Sequence, residues 1–152
     1  MLKVIVKYPK KEEERQIIRM NNTGEFPTVN PVVKPEDIVR ARSVVRDVYM
    51  DEKIERYIVD IVYATRTPDD YGLGKIKDLI SFGASPRASI SLSMASKAYA
   101  FIKRRGYVIP EDVRAVCDEV LRHRIGLTYE AEAENVTTEQ IIAEVLNAVQ
   151  VP

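Results

Sequence analysis

Helix starts punctuate this chain and limit what it can fold into. Pro35-Glu36-Asp37, Ser85-Pro86 and Pro110-Glu111-Asp112 each set a proline at the head of a helix-periodic stretch. Proline suits a first helical turn because the N–H it lacks would have no intrahelical partner there. Thr137-Thr138-Glu139-Gln140 has the capping-box pattern, and Asp51 is placed to cap a helix that follows it. Behind these starts lie apolar stripes: Ile38, Ala41, Val45 and Val48; Ile54, Ile58, Ile61, Val62 and Thr65; Ile90, Met94, Ala98, Phe101 and Ile102. Two more follow: Val113, Val116, Cys117, Val120, Leu121 and Arg124, then Ile141, Ile142, Val145, Leu146 and Val149. Tyr57, Val59 and Tyr63 fall outside their stripe, so that helix is expected to be buried on more than one side. The helix from Pro86 is expected to reach about Arg104, with Gly106 ending it and Ser89, Ser91, Ser93 and Ser96 allowing close packing. From about Lys34 onward the pattern predicts a bundle of about five helices.

One segment does not belong to that bundle. Leu2, Val4, Val6 and Tyr8 alternate with Lys3, Ile5 and Lys7, which is a strand pattern, and Pro9 stops it. Lys10-Lys11-Glu12-Glu13-Glu14 then opens a short helix. No comparable strand follows, and a lone strand is not stable, so its sheet is expected upstream of Met1. Residues 1–26 are expected to fray or to pair with another copy. A loop from Asn21 to Lys34 holds Pro27 and Pro31, Thr67 to Gly74 is a second break, and Leu79-Ile80-Ser81-Phe82 is a short extended candidate. The predicted fold class is mainly α, a helical bundle preceded by one strand and one helix.

With 152 residues, 23 basic and 23 acidic, the chain has the length for one ordinary core and no global charge to draw it to nucleic acid or an anionic membrane. No stretch approaches the roughly twenty apolar residues of a membrane span, and Met1 to Lys7 is too short and charged for a signal peptide. The one cysteine forms no internal disulfide and fits a reducing, cytoplasmic setting. Cys117 reads as an inert core thiol, and with the one histidine, His123, it makes no metal site. Arg122-His123-Arg124 places cations at a helix C-terminus, where the dipole favours them. Lys103-Arg104-Arg105 and Arg40, Arg42 and Arg46 read as solvated helix faces.

The chemistry concentrates in Gly83-Ala84-Ser85-Pro86-Arg87. Ser85 as N-cap and Pro86 at the first position place Arg87 in the first turn, a stiff cation beside the positive end of the dipole. Both features favour an anion such as phosphate; the alternative is a surface arginine paired with a nearby acid.

Gly83-Ala84-Ser85-Pro86-Arg87-Ala88-Ser89 resembles the sensor-2 motif of the MoxR family of AAA+ ATPases. The similarity continues in family order. Lys3 to Pro9 and Glu12 to Ile17 resemble the last core strand and its helix; Tyr107 to Val113, Val120 to Arg124 and Ile141 to Pro152 resemble the lid. The resemblance implies residues 1–26 as the tail of the AAA+ core and 27–152 as a helical lid domain. It implies ATP held between core and lid, with Mg2+, and Arg87 reaching the γ-phosphate. Pro86, Tyr8 and Ile58 are further nucleotide-site candidates, the last two as walls of an adenine pocket or else as plain packing. Implied partners are the ATPase core of the same polypeptide, further copies in a ring, expected to be a hexamer, and a von Willebrand A-domain protein. The implied role is chaperone-like, in metallo-enzyme maturation or complex assembly.

The sequence departs from the family in lacking a G-x-x-x-x-G-K-[ST] phosphate loop. In Gly72-Leu73-Gly74-Lys75 the needed hydroxyl residue is Ile76 and the first glycine is Asp69. The fragment alone is therefore expected to bind no cofactor and to hydrolyse no ATP. The other readings are a free-standing helical adaptor and, behind it, a helical DNA-binding module.

Overall fold

A computed structural model describes residues 2–24 and 26–152. Met1, which opens the strand-like stretch, and Glu25, within the expected core tail, lie outside them. The order is α1 (Lys11–Thr23), α2 (Pro35–Asp47), α3 (Glu52–Ala64), a 3-10 turn (Pro68–Tyr71), α4 (Gly74–Lys77), β1 (Ile80–Phe82), α5 (Pro86–Ile102), α6 (Pro110–Leu121), β2 (Gly126–Leu127), α7 (Tyr129–Ala133) and α8 (Thr138–Ala148). The five long helices after residue 34 stand where the starts place them.

The first turns of α1, α2, α6 and α8 share one chemistry. The Glu13 carboxylate accepts from the Lys10 N–H at 2.7 Å, Asp37 from Lys34 at 3.1 Å, Asp112 from Ile109 at 3.0 Å, and the Gln140 amide oxygen from Thr137 at 2.7 Å. Each ties the third helical residue back to the cap, satisfying a donor the helix leaves open. At α3, Asp51 accepts from Lys53 at 2.9 Å.

α5 and α6 pack most extensively, with α3 across α5 and α8 closing on α6 and α3. The core is Ile54, Tyr57, Ile58, Ile61 and Val62 from α3, Leu92 from α5, Val113, Cys117, Val120 and Leu121 from α6, and Ile141, Ile142 and Val145 from α8. Two expectations fail here. Of the three residues outside the α3 stripe Tyr57 is buried as expected, but Val59 and Tyr63 are 43 % and 48 % exposed, so α3 buries one broad face instead of several. The face of α5 is inverted: Ala88, Leu92, Ser96 and Ala100 are buried, while Ile90, Met94 and Ile102 are more than 60 % exposed. The reason is steric. Small residues at three of these four positions, Ala88, Ser96 and Ala100, let α5 approach α6 closely, with Leu92 the one large side chain among them. Met94, Phe101 and Ile102 of α5 instead line an open groove of about 580 Å³ shared with Ile38, Ala41 and Val45 of α2.

Gly106 does not end α5 by its own conformation. Arg104 takes the left-handed backbone at φ 60°, and the Arg105 N–H closes on Ala100 O at 2.9 Å. Nor is Arg105 merely solvated, since it holds both carboxylate oxygens of Asp112, which is 1 % exposed. The pair fixes the turn between α5 and α6. Of the Arg122 to Arg124 cluster, Arg122 pairs with Glu139 of α8 at 3.1 Å and Arg124 donates to Ser91 of α5 at 3.0 Å. These are cross-links between helices, beyond any dipole effect.

β1 pairs antiparallel with β2, the only ladder among the described residues. β2 and α7 carry no sequence signal strong enough to predict at their length. Leu2 to Tyr8 join no ladder; Lys3 donates its N–H to Glu119 O at 2.8 Å, at the end of α6. α1 is helical and buries no residue.

Candidate anion-binding site

Arg87 is the second residue of the 17-residue helix α5. The second residues of α1, α2, α6 and α8 are Glu12, Glu36, Glu111 and Glu139, as the helix dipole favours. α5 has no acid in its first turn, and the Ser85 hydroxyl caps no N–H although its backbone has cap geometry. Arg87 is exposed, and no hydrogen bond or ion pair engages its guanidinium among the described residues. The nearby acid of the alternative reading is therefore missing. An unpaired cation at the positive end of a helix is electrostatically unfavourable until an anion arrives.

The loop that delivers Arg87 is held tightly. Ala84 is fully buried, and both its backbone groups are used. Its N–H donates to the Thr65 hydroxyl at 2.9 Å, and its carbonyl accepts from Arg66 Nε at 2.6 Å. The Thr65 hydroxyl itself donates a hydrogen bond to Val62 O at 2.7 Å. At Gly83 a Cβ would sit 2.3 Å from Thr65 O, so glycine is required by the close approach of two backbones. Arg66 also lies 4.7 Å from the Tyr63 ring. Sequence reasoning missed Thr65 and Arg66 because they act across 19 and 18 residues of chain.

The other candidates are scattered. Pro86 is exposed at the first position of α5. Ile58 is 2 % exposed; it packs in the core and edges a shallow depression with Met50, Ser89 and Ser93. Tyr8 is 98 % exposed and is not among that depression's lining. Cys117 is fully buried, and that burial pushes its thiol up to about 12, so it carries no thiolate. Burial, with the charges of Arg124 and Lys3, holds His123 below its ordinary value. Gly72 turns at φ 70° and Ile76 is buried, so the segment resembling a phosphate loop closes the 3-10 turn and opens α4.

Residues 75–145 match the AAA lid domain family. The fold and this match define the class, an AAA lid-domain protein. Chaperone MoxR1 of Mycobacterium tuberculosis (strain ATCC 25618 / H37Rv) is 39 % identical over 153 aligned positions, covering all of this chain and 40 % of that protein. Protein YeaC of Bacillus subtilis (strain 168) is 34 % identical over 153 positions, covering all of the chain and 45 % of its own length. A solved structure of a candidate ATPase from Cytophaga hutchinsonii ATCC 33406 superposes with a TM-score of 0.93 at 40 % identity, over all of this chain and 46 % of that one. Over its whole length the chain is similar to part of MoxR-family AAA+ proteins, and residues 75–145 match their lid domain. It spans less than half the length of these relatives.

Proposed function

We propose that this chain closes over ATP as the lid of a MoxR-type AAA+ ATPase and presents Arg87 to the γ-phosphate. The observation that carries this is the state of Arg87: exposed, unpaired, at the second position of a long helix with no acid in its first turn. A guanidinium offers parallel N–H donors that match phosphate oxygens, and the helix start adds N–H groups and a positive dipole. When hydrolysis removes the γ-phosphate the contact is lost, which frees the lid to move. Nucleotide state thereby becomes domain motion.

In this reading residues 1–26 are the end of the nucleotide-binding core and 27–152 the lid. Pro86 borders the nucleotide, and the depression beside Ile58 is a candidate adenine wall, with Tyr8 brought to it by the core. ATP and Mg2+ bind in the whole protein. In this reading the core of the whole protein holds the Mg2+. Partners are the core of the same polypeptide, a hexameric ring of copies, and a von Willebrand A-domain protein, in a chaperone-like role.

The test is ATP turnover by the full-length polypeptide with Arg87→Ala. A charge-assisted contact of about 1.5–3 kcal/mol corresponds to a loss on the order of ten- to a hundredfold. Unchanged turnover would remove the case for the site.

A further inference from the structure

We propose that Thr65 and Arg66, at the end of α3, are positioning residues that set the aim of Arg87. The inference rests on the reading of Arg87 given above and adds to it the element that holds the arginine in place. Arg87 does not reach its position by helix geometry alone, because a helix can pivot about its first turn. The pivot here is Ala84, three residues before Arg87. Ala84 is fully buried, with its N–H on the Thr65 hydroxyl at 2.9 Å and its carbonyl on Arg66 Nε at 2.6 Å. Two adjacent residues just past the end of α3 thus hold the two peptide groups that flank Ala84, in the loop between β1 and α5. The Thr65 hydroxyl is itself oriented, since it donates to Val62 O at 2.7 Å and has its lone pairs left for Ala84. Gly83 removes the remaining freedom, as its backbone lies against Thr65 with no space for a Cβ. Between Ala84 and Arg87 stands Pro86, whose ring fixes φ.

A purely structural role would use these bonds to hold the fold alone. Arg66 argues against that as a full account. It is an exposed residue whose Nε reaches back to the carbonyl of the fully buried Ala84 and holds that peptide in one orientation. What Arg66 adds is direction. Phosphate contacts are sensitive to it, since a misplacement of about 1 Å can cost on the order of a hundredfold in rate. The same clamp ties Arg87 to α3, so a movement of α3 relative to the core is passed to the arginine.

The experiment is a double-mutant cycle in the full-length polypeptide, read as ATP turnover. Thr65→Val and Arg66→Ala should each lower kcat about tenfold, Thr65→Ser should restore it, and neither loss should appear in an Arg87→Ala background. Losses that multiply with Arg87→Ala, or normal turnover in a folded Arg66→Ala protein, would overturn the clamp. Arg66 is exposed, so Arg66→Ala decides the matter where Thr65→Val fails to fold. If Arg87→Ala itself turns over normally, the reading of Arg87 fails and the clamp falls with it. If Arg87→Ala is impaired and the clamp variants are not, the clamp alone fails.

Discussion

Arg87 occupies the helix position that five other helices among the described residues give to glutamate. The dipole penalises a cation there, and no internal acid compensates it. Replacing it with Glu should therefore stabilise the isolated chain by about 0.5 kcal/mol in thermal unfolding, even as it removes the anion site. A stability loss would mean that Arg87 makes an internal contact. Arg87 was legible in sequence because its setting is local: Ser85, Pro86 and the helix that follows define it within a few residues. Cys117 was legible for the same reason, from the apolar face of α6. Thr65 and Arg66 were not, since each looks like an ordinary helix-end residue until Ala84 is folded against it.

At the scale of elements, the starts were more readable than the faces. Capping chemistry lies in adjacent residues, so α2, α3, α5, α6 and α8 begin where sequence places them. The buried face of α5 was misread because large apolar residues were assigned inward. Close contact with α6 instead selects Ala88, Ser96 and Ala100, and sequence does not say which neighbour comes nearest. The turn between α5 and α6 carries a second consequence of tertiary structure, the Arg105–Asp112 pair. Asp112 is 1 % exposed, so Arg105→Ala leaves a buried carboxylate without its cation. The expected cost is about 3 kcal/mol in denaturant unfolding. A change under about 0.5 kcal/mol, usual for a surface site, would show the pair to be incidental.

At the scale of the molecule, the helical bundle was legible and its one ladder was only half so. β1 was a candidate, while β2 is too short to announce itself and exists by pairing with β1. The alternation of Leu2 to Tyr8 is a strand signal without a ladder, because the one sheet among the described residues is β1 with β2. In the proposed division of labour the core binds the nucleotide and the lid senses its last phosphate. The most direct measurement is the affinity of the full-length protein for a non-hydrolysable ATP analogue and for ADP, with and without Arg87→Ala. The account expects the substitution to weaken the ATP analogue by ten- to a hundredfold, roughly the worth of one charge-assisted contact, and to leave ADP unchanged. Equal losses for both nucleotides, or none for either, would contradict it.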